Sequence, residues 1–244
     1  MLDTWEDVDA VPVVPYYDGA HYATYDEVED GVERDMHGDV TDAGARSLLR
    51  TGDVLVCVGE TRRWWHGATR PVWRAIQRAT DHPVTHVGMV WVTPEAVLVV
   101  ESLARRGVTI TALSRQIPGL DDGKYHVASQ DSHLFVMRPT YSVSGAWSCA
   151  VAQEENAKLA IREAIRHEGT DYPEWLTVRL AWARLTGWMR PVKNRMICSE
   201  HIAQSVEKGG AKTPADLPMG LRSPGAVANA CEMVACLWHP KENA

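Results

Sequence analysis

The sequence predicts an α+β domain, and three observations carry that reading. Valine-rich apolar runs of strand length recur between residues 52 and 139, bounded by Gly, Pro or polar turn residues. After Gly145 the pattern lengthens into amphipathic helical stretches. Strands come first and helices later, the order of an α+β domain rather than of alternating βαβ units. The expected architecture is a small antiparallel sheet packed against helices.

Residues 1–42 are dense in Asp and Glu, with Arg34 the only Lys or Arg. Pro12 and Pro15 interrupt them, and Tyr16, Tyr17, Tyr22 and Tyr25 supply apolar contact. A charge block of this kind is a solvated arm or an interaction segment. Its tyrosines point to an arm docked on its own domain or on a partner chain. Thr41 or Asp42 can then cap a short helix through Ala45, Leu48 and Leu49, ending near Gly52.

GDVLVCVG reads as a buried strand between glycines. From Trp64 to Ala79, Val72, Ala75, Ile76 and Ala79 keep helical spacing, with Arg70, Arg74 and Arg78 on the other side. THVGMVWV and AVLVVES, parted by the turn residues Thr93 and Pro94, form a β-hairpin, and RRGVTITAL and HLFVMRP give two more strands. A long helix covers Cys149 to His167, and GTDYPEW breaks it. A second helix runs through Trp175, Val178, Leu180, Trp182 and Leu185. ICSEHIAQSVEKGG is a third, stopped by Gly209 and Gly210. The chain divides into the arm at 1–42, a domain at 43–230 and a tail at 231–244.

Bulk properties narrow the function. With 244 residues, 45% hydrophobic and 23% charged, the chain can bury a substantial core. A net charge of -7 argues against general affinity for nucleic acid or anionic membrane. No apolar run approaches the roughly 20 residues that span a bilayer, so no transmembrane segment is expected. MLDTWEDVDAVPVV lacks the cationic and apolar regions of a secretory signal. The expected location is cytoplasmic at synthesis, with later release by lysis or assembly into a virion-like particle. Cys57, Cys149, Cys198, Cys231 and Cys236 make an odd set, expected as reduced thiols. Cys231 and Cys236 have no second pair with zinc-ribbon spacing, so no metal site is expected.

Cys198 opens a helix, where unpaired N–H groups and the helix dipole lower a thiol's pKa and can hold an oxyanion. A buried helical cysteine also suits inert packing. Thiolate chemistry needs a base distant in sequence and near in space. His86 lies in an apolar strand, a common place for a structural histidine, but Gly88 on the same face leaves room beside its ring. Glu101 ends the next strand, where a hairpin brings it near His86 and a carboxylate can orient the imidazole. The alternative for Glu101 is a strand end in water. His201, one turn after Cys198, is poorly placed as a base. Arg62, Arg63, Trp64, Trp65 and His66 suit either a glycan or acidic-peptide site or simple helix packing. Cys57 reads as core.

In chain order these motifs resemble the circularly permuted NlpC-type papain-like proteins, which include the YiiX-like group and, more distantly, the lecithin:retinol acyltransferases. The matching residues are Gly52–Asp53, Thr85–Gly88, Glu101, Asp171–Tyr172 and Cys198–Glu200. The likeness spans about residues 46 to 230 and excludes the acidic arm and the tail. It implies a permuted papain-like fold with the histidine strand ahead of the cysteine helix. It also implies catalysis by Cys198, His86 and Glu101 without a cofactor. The implied reaction is acyl transfer through a thioester, with a cell-wall stem-peptide amide in peptidoglycan as the leading substrate. Lipid or acyl-ester chemistry is the alternative within the fold, although Glu101 stands where that branch has a histidine. A structural role in a particle such as a phage tail is the third reading.

Overall fold

The structure, a computed structural model, describes residues 48–59, 82–104, 106–116, 132–141, 150–172, 196–215 and 222–238. They form an α+β domain around a six-stranded, wholly antiparallel sheet. The strands are β1 (Val54–Gly59), β2 (Val84–Val92), β3 (Val97–Leu103), β4 (Gly107–Ala112), β5 (Ser132–Pro139) and β6 (Cys231–Trp238). Their spatial order is β4-β3-β2-β1-β5-β6. The helices are α1 (Ala150–Arg166), α2 (Cys198–Lys208) and α3 (Pro224–Asn229), and a 3-10 turn, Leu113–Arg115, follows β4.

Both faces of the sheet are buried. Val54, Val56, Val87, Met89, Val100 and Phe135 share a core with Ala160, Ile161 and Ala164 of α1 and with Ile202, Ala203 and Val206 of α2. Leu55, Cys57, Val90, Val99, Leu134 and Val136 form a second core with Leu49 and Leu113. This explains why the strands read as continuous apolar runs rather than as an alternation with polar residues. The β2–β3 hairpin turns at Thr93, whose N–H and hydroxyl both reach the carbonyl of Ala96. Among the described residues no helix is long and apolar enough to cross a membrane.

The Gly52–Asp53 pair fixes the entry to the sheet. Gly52 has φ 92, and a Cβ there would lie 2.7 Å from the Cβ of Ala157 on α1, so only glycine fits. Asp53 is 2% exposed and accepts from Arg138 Nε and an Arg138 terminal nitrogen, both at 2.8 Å, and from the N–H of Arg50. The carboxylate thus ties β1 to β5 as a bidentate, charge-assisted pair.

One boundary read from the sequence is corrected. Residues 231–244 are expected as a tail, yet Cys231–Trp238 is β6, paired with β5 through two irregularities of register. Its apolar run CEMVACLW satisfies the free edge of β5. The short helix before it, α3, also escapes periodicity because it has only six residues. Its capping signals were nonetheless present: Ser223 accepts from the N–H of Ala226, and Pro224 stands at the first helical position. The acidic arm, most of the short helix before Gly52, the helices expected over 64–79 and 175–185, and Cys149 lie outside the described residues.

Candidate active site

The T-H-V-G segment of β2 gives each residue a separate task. Opposite it, β1 pairs Cys57 with His86 and then Val58 with Val84, so Thr85 is the extra residue of a bulge. Its hydroxyl donates to the carbonyl of Cys57 at 3.2 Å, pinning the irregularity. A bulge re-aims the neighbouring side chain, here the ring of His86. The N–H of Val87 reaches the thiol of Cys198. Gly88 stands directly opposite Glu101, and a Cβ there would meet Val99 Cγ1 at 2.9 Å and Glu101 Cβ at 3.3 Å. The missing side chain therefore makes room for the carboxylate to lean diagonally across to His86.

Glu101 Oε2 lies 2.8 Å from His86 Nε2. This leaves Nδ1 as the ring nitrogen for the thiol. Glu101 is 1% exposed, while the His86 side chain keeps 18% exposure toward solvent. The other oxygen, Oε1, accepts from Gln116 Nε2 at 2.6 Å and from Thr111 Oγ1 at 3.2 Å.

Cys198 is the first residue of α2, and no side chain caps the helix. Its thiol and the His86 ring lie close enough for each to shift the proton affinity of the other. The segment before it is anchored twice: Ser102 Oγ donates to the carbonyl of Met196 at 2.7 Å, and the N–H of Met196 donates to the carbonyl of Asp171 at 3.1 Å. The second bond also brings Tyr172 beside the thiol. Burial and then the charge of Cys198 push the Tyr172 phenol well above its usual range.

The electrostatics favour an ion pair. Burial alone would raise the Cys198 pKa, but the charge and hydrogen bond of His86, with the N–H groups of Val87 and Ser199, hold it below the ordinary thiol value. For His86, burial pulls downward, yet the charge and hydrogen bond of Cys198 and then those of Glu101 outweigh it, leaving the pKa well above 6.5. Such an arrangement can present a thiolate beside an imidazolium, a nucleophile with its proton donor already in place.

The structure thus brings Cys198, His86 and Glu101 together. His201 does not join them: it is fully buried and its Nε2 donates to the carbonyl of Ala164 on α1. Cys57 lies in the second core. Arg62 to His66 lie outside the described residues. Sequence reasoning missed Gln116, Thr111, Ser102 and the Val87 N–H. Only the polar positions of β4, Thr109 and Thr111, gave a signal, because they share the face of Glu101. Among the described residues no group of three or more His, Cys, Asp or Glu is arranged to hold a metal ion. Both Glu101 oxygens already have partners.

No model of a known protein family matches the chain, and no curated protein is similar enough to count as a relative. Among solved structures it is similar to that of the metalloprotein yiiX from Escherichia coli O157:H7. The identity is 20%, the TM-score 0.38, and the match covers 72% of this chain and 69% of that one. A likeness at this level does not extend to chemistry.

Proposed function

We propose that the chain is a thiol hydrolase of permuted papain-like type, acting through Cys198, His86 and Glu101. The observation that carries this reading is the buried line from Glu101 through His86 to Cys198 at the start of a helix. Placement of the histidine on β2, ahead of the cysteine on α2, agrees with the permuted chain order.

In the proposed reaction the Cys198 thiolate attacks an amide or ester carbonyl, forming a C–S bond. Free N–H groups in the first turn of α2 are suited to the developing oxyanion. His86 gives its Nδ1 proton to the leaving nitrogen or oxygen as that bond breaks, and a thioester remains. His86 then takes a proton from water, the hydroxide attacks the thioester, and the C–S bond opens. Glu101 makes no bond to substrate and fixes the ring.

A stem-peptide amide is the substrate to try first, and acyl esters second. Wild type and Cys198→Ala are incubated with purified peptidoglycan and with acyl esters, and products are read by mass. New amine termini made only by the wild type support an amidase or endopeptidase. Released or transferred acyl chains support the ester branch. If neither substrate changes and Cys198 reacts with iodoacetamide no faster than Cys57, the hydrolase reading fails.

A further inference from the structure

Glu101 is a carboxylate almost without solvent, and His86 supplies a partner for only one of its oxygens. The other oxygen faces Gln116, itself 1% exposed, whose Nε2 also reaches Thr111 Oγ1 at 2.7 Å. Thr111 in turn donates to Glu101 Oε1, so the three side chains close a ring of hydrogen bonds. Behind them Leu55, Cys57, Val99 and Leu134 leave a space of about 10 Å³. That is at the lower limit for a single water, and its walls are largely apolar. Solvent therefore has little means of replacing the amide if it is removed.

Gln116 is held for this task by its backbone. It closes the 3-10 turn after β4, its N–H donating to the carbonyl of Leu113 at 2.8 Å, and Leu113 is anchored in the second core. Its amide is therefore directed at Glu101 by the fold and not by chance contact on a mobile surface.

We infer that Gln116 is a positioning residue of the candidate site, fixing the Glu101 carboxylate in the single orientation that holds His86. Thr111 completes the same cradle. A buried carboxylate with donors on both oxygens is held in one orientation, whereas one that loses a donor rotates to recover a partner. Among the described residues, the titratable groups facing His86 are Glu101 from β3 and Cys198 from α2, with Tyr172 beside the thiol. Gln116 touches only the first of these. Its influence on the thiol therefore passes through Glu101 and then His86.

The catalytic meaning of this inference rests on the hydrolase reading, but its test does not. The His86 ring is titrated by NMR in the full chain as wild type, Gln116→Met, Glu101→Gln and the double variant, alongside the pH dependence of Cys198 alkylation. Gln116→Met should lower the His86 midpoint by about one pH unit, a roughly tenfold change in the protonation equilibrium. In the Glu101→Gln background the same substitution should have no further effect. An unchanged midpoint in folded Gln116→Met, or an equal shift with and without Glu101, overturns the inference. If Gln116→Met does not fold, Thr111→Val is measured instead; a smaller downward shift supports the cradle, and none overturns it. If the midpoint moves while wild-type Cys198 proves unreactive, the hydrolase reading fails and the role of Gln116 stands.

Discussion

Ser102 and Met196 are joined by a buried 2.7 Å hydrogen bond between the Ser102 hydroxyl and the Met196 carbonyl, two residues before Cys198. Ser102 directly follows Glu101, so adjacent residues of β3 serve the two halves of the site from opposite faces. Ser102→Ala would leave the Met196 carbonyl buried without that donor, at a cost of about 1–3 kcal/mol. Urea unfolding should show the loss, and Cys198 alkylation should slow in the folded variant. Unchanged values for both would make the bond incidental.

Glu101→Gln and Cys198→Ala should differ in kind. In the proposed reaction Glu101 orients the ring and stabilises its charge without making or breaking a bond to substrate. Its amide variant should therefore keep a residue of activity, lowered by about 10²-fold or more, while Cys198→Ala keeps none. Steady-state turnover on the first active substrate decides this. Equal, complete loss in two folded variants would assign Glu101 a different role.

The Cys198 pKa is lowered and that of His86 is raised, and both shifts favour the thiolate–imidazolium pair. Turnover should rise with pH as the thiolate forms, then fall as His86 loses the proton owed to the leaving group, giving a bell. Alkylation, which needs only the thiolate, should reach a first plateau below the ordinary thiol range. His86→Ala should move that alkylation curve to higher pH by removing the cation.

His201 gives a separate acid effect. Its burial pulls its pKa from 6.5 to about 4, with the Ala164 carbonyl opposing and the charge of His167 adding to the fall. The unfolded chain binds this proton below about pH 6.5 and the folded chain resists it until about pH 4. Stability present above that window is therefore lost through it, by roughly 3 kcal/mol from this group. Folding free energies of wild type and His201→Gln, measured from pH 7 to 4, should converge as the pH falls. Parallel curves would remove His201 from the acid response.

Much of this arrangement was readable in the residues. The strands followed from apolar runs between turn residues, and the His86–Glu101 pairing followed from the hairpin that joins them. Cys198 was found because a helix start has a recognisable pattern. The hidden parts lack such patterns. The Val87 N–H is backbone, which no residue type advertises. Gln116 lies in a turn, where a polar side chain ordinarily suggests solvent. β6 follows so short a helix that periodicity could not separate it from a tail. Glycine was informative twice over, since Gly52 and Gly88 each mark a place where another element comes too close for a Cβ.

The lateness of β6 has a consequence for biosynthesis. On the ribosome β1 to β5 emerge well before Cys231–Trp238, so the nascent sheet carries β5 as an open edge until the final strand arrives. The same interval separates the two members of the ion pair. His86 is translated with the early strands, and Cys198 joins it only after α1 and the intervening chain have been made. A growing polypeptide thus carries His86 without its partner thiol from residue 86 until residue 198 is added. On the proposed reading, reactivity of Cys198 should appear late, and iodoacetamide added to stalled translation products of increasing length would report its onset.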